Sequence, residues 1–266
     1  MDPLPYWHVD AFADAAFAGN PASVIICKRW PEDDTMLAIA QETQCGATAF
    51  LLRDESSAAD WQVRWFSVAK ELKLCGHASL ASGHVLLSQE GAGESVQLRS
   101  REAGTLDIQR SEHGYELAVF AISTDAIEWP EVAAALGGDP REICRNENGY
   151  TILAFESEKD VRSLAPDFAA LARLDAGQFI CTAPGQGSDI ASRVFVPGGA
   201  INEDAVTGSA HAALIPYWAQ RLGRYEFTAH QASARAGNLS CRLDGDRVWI
   251  GGQCATVIEG KIHLVG

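Results

Sequence analysis

The sequence predicts an α+β protein of two similar domains, each a shell of strands around one central helix. Three observations carry this prediction. Short runs rich in Val, Ile, Phe and Trp alternate with turn residues along most of the 266 positions. Two helical runs, LASGHVLL and AHAALIPYWA, carry few charges on any face, so each must be surrounded by other elements. Finally, RWFSVAKELKLCGHASLASGHVLL from Arg64 echoes RVFVPGGAINEDAVTGSAHAALIPYW from Arg193: Arg-x-Phe in a strand, a loop, then Cys/Thr-Gly-His/Ser-Ala opening an apolar helix. Cys75 and Thr207 stand 132 positions apart, about half the chain, which is the mark of an internal duplication.

In the first half the expected strands are WHVDAF, ASVIICK, TAFLLRD, WQVRWFS, SVQLRSR, GTLDIQR and YELAVFA. PEDDTMLAIAQET reads as a helix, with acids at its start and apolar residues at helical spacing, and CGHASLASGHVLLSQE as the central helix. In the second half DPREICR and DVRSLAPDFAALARL read as amphipathic helices, QFICTA and ASRVFVPG as strands, and TGSAHAALIPYWAQRLG as the second central helix. The strands RYEFTAH, NLSCRLD, RVWIGGQCATVIE and KIHLVG follow. No βαβ rhythm is sustained, which disfavours a Rossmann sheet. The expected domains are residues 1–116, with strands at about 254–266 completing them, and residues 117–253.

A net charge of −14 disfavours nucleic acid and anionic membrane surfaces as partners, although a local basic pocket could still take a small anion. No run is long and apolar enough to span a bilayer, and the first residues lack the basic start and apolar core of a secretory signal, so the cytoplasm is the expected compartment. The seven cysteines form an odd set without a CxxC pair, which suits reduced thiols. No zinc pattern, P-loop, GxSxG elbow or HExxH is present, so the common nucleotide, acyl-transfer and zinc readings lack their residues and no metal is expected.

CGHAS opens a helix whose free amides and dipole favour a substrate carboxylate, and the alternative is an ordinary packed helix entrance. Two copies in matching places, with small Gly76 and Gly208 at the starts, favour the binding reading. His77 lies in the first turn, where the dipole disfavours the imidazolium. Cys75 at the same start is a candidate thiolate base or a small buried residue. In NEDAVTGSAH, Glu203 or Asp204 could cap the helix or exchange a proton with a ligand, and Thr207 and Ser209 are available as caps. His84 reads as a core residue, His211 as either core or site, and Asn20 sits in a GNP turn.

With VDAFADAAFAGNPASVI, IAQETQCGATAFL and the two echoing stretches in this order, the chain resembles the phenazine-biosynthesis PhzF-like isomerases, whose fold is that of diaminopimelate epimerase. The resemblance covers nearly the whole chain. It implies two barrels, each wrapped on a central helix, an active site between them, no cofactor, and movement of a proton on a small anionic, carboxylate-bearing metabolite. It places Asn20, Gly76, Thr207, Gly208 and Ser209 in substrate binding and His77 and Asp204 in catalysis, with Cys75 where epimerase relatives keep a cysteine base. Where the family pattern reads Ser-Glu-Thr, with the glutamate as general acid/base, this chain has Gly46-Ala47-Thr48. Further departures are Ser67-Val68 for Thr-Pro and Ala205 for Pro.

Two readings follow. The chain is an isomerase in which Cys45, Cys75, His77 or Asp204 handles the proton, or it is an inactive homologue that binds a metabolite. A homodimer is the expected assembly.

Overall fold

The computed structural model describes residues 2–198 and 201–264. The chain divides into two compact units, residues 2–118 with 251–264 and residues 119–250. Both are α+β, and in each the strands surround one long apolar helix.

The first unit contains β1 (Leu4–Ala11), β2 (Asn20–Cys27), α1 (Asp33–Thr43), β3 (Ala47–Arg53), β4 (Trp61–Phe66), β5 (Glu71–Leu72), α2 (Gly76–Leu87), β6 (Ser95–Arg99), β7 (Thr105–Ser111) and β8 (Gly114–Phe120). The last strand, β18 (Cys254–Ile262), pairs antiparallel with β1. From β1 the ladder continues through β2, β3 and β4, then β6, β7 and β8; β2–β3 and β4–β6 are the parallel steps.

Alternation along the strands sorts side chains onto two faces. Ala22 and Val24 of β2 and Ala47 and Ala49 of β3 look inward to α2, where only small residues leave room for a helix. Ile25, Phe50 and Phe66 look outward and pack with Met36, Ile39 and Ala40 of α1. Phe50 and Phe66 meet edge to face at 5.6 Å.

Helix α2 is buried along nearly its full length, and Leu80, Val85, Leu86 and Leu87 each contribute about 1.5–3 kcal/mol of apolar burial. Gly83 is required by packing, since a Cβ there would collide with Ile108 of β7. Gly83→Val is expected to cost about 1–3 kcal/mol of stability, read as the urea midpoint. Ile108→Ala should cost less in that background than alone, because it removes the obstructing methyls.

The second unit contains β9 (Asp125–Ile127), α3 (Pro130–Leu136), β10 (Glu142–Arg145), β11 (Tyr150–Ala154), α4 (Glu158–Ser163), α5 (Phe168–Leu174), β12 (Gln178–Pro184) and β13 (Ile190–Phe195). It continues with β14 (Glu203–Asp204), α6 (Gly208–Leu222), β15 (Glu226–Gln231), β16 (Gly237–Asp244) and β17 (Arg247–Gly252). Its ladder runs β9, β10, β11, β12, β13, β15, β16, with β14 folded back on β13. Pro216 stands inside α6 and cannot donate to the Ala212 carbonyl, which instead accepts the Ile122 N–H at 2.9 Å.

Several sequence expectations are corrected here. DPREICR is not a helix: residues 142–145 form β10, paired on both sides, because seven residues are too few to nucleate a helix against a waiting ladder. DVRSLAPDFAALARL is two helices, since Pro166 disfavours helical Ala165 and Asp167 starts α5 as its cap, accepting from Ala170 N at 2.9 Å. RVWIGGQCATVIE divides into β17 and β18 at Gln253. Helix α3 and strand β11 escaped the sequence reading. The end of KIHLVG lies outside the described residues.

The duplication is visible in side-chain detail. Arg64 of β4 grips Glu71 of β5 through two hydrogen bonds of 2.6 Å, and Arg193 of β13 grips Glu203 of β14 through bonds of 2.8 and 2.9 Å. Each guanidinium also lies over a phenylalanine of its own strand, Phe66 at 5.2 Å and Phe195 at 4.9 Å. In both units a strand, a carboxylate-clamped return and a buried helix follow one another, so the same device sets where each helix begins.

Candidate functional site

At the start of α2, Cys75 is the N-cap in extended conformation (φ −145°, ψ 102°) and makes no side-chain cap. Thr207 does the same at α6 (φ −115°, ψ 100°), so neither helix start is closed by the side chain of its own cap residue. The expectation that Thr207 caps α6 is thereby corrected: its hydroxyl donates instead to Asp204 Oδ2 at 2.7 Å. Ser209 is no cap either, as its hydroxyl accepts from Gln178 Nε2 at 3.0 Å.

In the first unit Asn20, Cys75, Gly76 and His77 come together. Gly19 takes φ +62° against the Ala11 carbonyl, a turn only glycine fits, and this delivers Asn20 to the inner face. Asn20 is buried and donates from Nδ2 to His77 Nδ1 at 3.3 Å, which leaves the ring proton of neutral His77 on Nε2. Cys75 Sγ lies 3.6 and 3.8 Å from the two ring nitrogens. Gly46 backs this group: a Cβ there would sit 3.0 Å from Asn20 Oδ1 and 3.5 Å from His77 Nε2. Ala47 is in register with Ala22, fully buried, and holds no proton.

The Cys45 thiol has partners on the other face of β2. The chain leaves α1 through Gln44 in the left-handed region (φ +52°), and the Cys45 thiol then meets Ser23 Oγ at 3.1 Å and His8 Nδ1 at 3.4 Å. Ser23 lies an odd number of residues from Asn20 along β2 and so points to the opposite face.

In the second unit β14 and the turn into α6 hold Asp204. Its Oδ1 accepts from Ala205 N at 3.0 Å and its Oδ2 from Thr207 Oγ1. Gln231 of β15, missed in the sequence, organises the turn. Its Oε1 accepts from Thr207 N at 2.8 Å, and its Nε2 donates to Asp204 O at 2.8 Å and Thr207 Oγ1 at 3.2 Å. Nothing in HQASARAG marks that residue, since its partners lie 24 and 27 positions away. Glu203 is removed from the candidates because Arg193 engages both of its oxygens. Gly208 is the first helical residue after Thr207.

His84 and His211 are structural. His84 stacks edge-on against Tyr115 and bonds Thr256 Oγ1 at 2.9 Å, and burial, with Arg110 nearby, lowers its pKa. His211 shares a bond of 2.8 Å with the Thr207 carbonyl, and as donor its Nδ1 must carry the proton. It is fully buried, its Nε2 finds no partner among the described residues, and burial pushes the imidazole down to about 4. The folded form is therefore neutral, whereas the unfolded chain takes a proton near the ordinary value of about 6.5. Stability should fall as pH drops from about 6.5 toward 4, by about 3 kcal/mol for this residue. Urea midpoints across that range should decline less in His211→Gln than in wild type.

A family model described as phenazine biosynthesis-like protein matches residues 9–260. An uncharacterised isomerase of Pseudomonas aeruginosa is 42% identical over 98% of this chain and 99% of its own length. A crystal structure of a phenazine biosynthesis protein of the PhzF family from Enterococcus faecalis superimposes with a TM-score of 0.92 at 38% identity, covering 98% of this chain and all of that one. The fold alone extends to a hydroxyproline epimerase from Agrobacterium vitis, with a TM-score of 0.62 at 12% identity, covering 98% and 92% of the two chains.

Proposed function

Because this chain belongs to the PhzF family of phenazine biosynthesis-like proteins, we propose that it is a cofactor-independent isomerase that moves a proton on a small carboxylate-bearing metabolite. One observation carries the reading: Asp204 is held by Thr207 Oγ1 and Ala205 N at the entrance of α6, where its carboxylate can take a proton from carbon and return it. Its counterpart in the first half, 132 positions earlier, is Leu72, so only the second copy of the duplicated turn carries an acid at this position.

In this reading the amides at Gly76 and His77, and those at Gly208 and Ser209, attract anionic groups through the helix dipole. Asn20 fixes the His77 ring so that Nε2–H is the donor, and His77 steadies negative charge as the carbon acid ionises. Cys75, beside that ring, is a candidate second base.

Ala47 favours a second reading, an inactive homologue that binds the metabolite without turnover, since no ionisable group stands where the family glutamate is expected. Deuterium uptake from D₂O into a panel of small amino and hydroxy acids, read by mass spectrometry, separates the two. Uptake that disappears in Asp204→Ala supports the isomerase. No uptake from any compound shown to bind overturns it.

A further inference from the structure

A second group of reactive side chains lies on the outer face of the first unit, away from Asn20 and His77. Tyr6, His8 and Asp10 alternate along β1 on one side, and His8 is in register with Ser23 of β2. A bulge between His8 and Val9 shifts the pairing with β18 just there. Cys45, delivered by the turn after α1, completes the group.

The distances arrange a thiol, a base and an orienting acid. Cys45 Sγ is 3.4 Å from His8 Nδ1, and His8 Nε2 is 4.0 Å from Asp10 Oδ1, too long for a hydrogen bond but close enough to steady an imidazolium. Asp10 is itself fixed by the Phe17 N–H at 2.7 Å. Ser23 Oγ donates to Cys45 Sγ at 3.1 Å, and the Tyr6 hydroxyl stands 3.3 Å behind it, so a negative sulfur is met by a donor.

Five of the other six thiols differ, and the sixth, Cys75, lies 3.6 Å from His77 Nδ1 and is the thiol that Cys45 must outpace. Burial pushes Cys27 and Cys254 up to about 12 and Cys144 to about 11, and raises Cys181 and Cys241 further, leaving all five as neutral thiols. Cys45 is 6% exposed and the His8 side chain 24%, an opening suited to a reagent hardly larger than water.

We propose that Cys45 is a peroxide-oxidisable thiol activated by His8, a modification site separate from the proposed isomerase machinery. His8 takes the thiol proton, and the thiolate attacks one oxygen of hydrogen peroxide. An S–O bond forms, the O–O bond breaks, and hydroxide leaves and takes the proton back from His8 as water. The sulfur loses two electrons, the peroxide gains them, and the products are a sulfenic acid and water. Asp10 stabilises the transient imidazolium, as an acid behind a histidine does in other nucleophilic arrangements.

The test exposes the full-length protein to hydrogen peroxide, stops it with catalase and denatures it in dimedone, which traps sulfenic acids and ignores oxidised methionine. Trypsin then gives a peptide spanning residues 30–53 whose single cysteine is Cys45, and another spanning 74–99 whose single cysteine is Cys75. The 30–53 peptide should be labelled first, with its rate lowered about tenfold or more by His8→Gln, a modest share of what a general base supplies. Ser23→Ala, which removes only a hydroxyl, should slow it too and serves if His8→Gln does not fold. Earlier labelling of another cysteine, no label on 30–53, or an unchanged rate in the folded variants overturns the proposal.

Discussion

Asp204→Ala is expected to lower proton exchange by about 10²–10⁴-fold, the usual worth of a general acid or base, while leaving substrate affinity within a few-fold. The split matters because the rival reading makes a different prediction: a binding protein would lose affinity and have no turnover to lose. The carboxylate is held by its own local turn, so its removal should not disturb the fold. Thr207 Oγ1 and Ala205 N both donate to it, and the backbone of the turn is fixed independently by Gln231. Asp204→Asn keeps the shape and, through its single amide oxygen, one of the two donor contacts, but cannot take a proton, so it should lose nearly as much as alanine. Gln231→Leu should fall between wild type and Asp204→Ala, with kcat lowered more than KM is raised, since it loosens the turn without removing the acid. Ala47→Glu would bring a carboxylate to a fully buried inner-face position. If it raises exchange in wild type but not in Asp204→Ala, the two acids share one reaction.

The sequence made the plan of the fold legible where its signals were local or duplicated. Charge-free LASGHVLL and AHAALIPYWA became the buried α2 and α6, and the Cys75/Thr207 echo marked two helix starts with matching backbone angles. What escaped it was settled at a distance. β10 is a strand because β9 and β11 pair with it, a cause absent from DPREICR itself. Gln231 reaches the α6 entrance from 24 residues away, and His8 gains its partner from position 45. The standing of Cys45 likewise depended on which face of β2 it met. A left-handed Gln44 decides that, and nothing in the letters TQCGAT announces such a turn.

The second large effect expected is on stability, at the clamp that the two halves share. Glu203→Ala should destabilise the protein by about 3 kcal/mol, because it leaves the Arg193 charge in a largely dry site. Arg193 is 14% exposed and cannot swing out to water, since its Nη1 is anchored on the Leu164 carbonyl at 2.9 Å, with those of Val161 and Arg162 at 3.4 and 3.3 Å. Glu71→Ala in the first unit should cost less, although Arg64 is more deeply buried, because Asp33 at the start of α1 still accepts from it at 2.8 Å. Urea unfolding at constant slope measures both. The combination Arg193→Met with Glu203→Leu should regain much of the loss, since an apolar pair of similar volume has no charge to strand. Activity should not return with it. Glu203 and Asp204 together form β14, paired to Phe195 and Val194, so the ion pair also sets where the acid stands. A double variant that recovers stability yet stays slow would show that the clamp positions Asp204, whereas full recovery of both would reduce it to a structural tie.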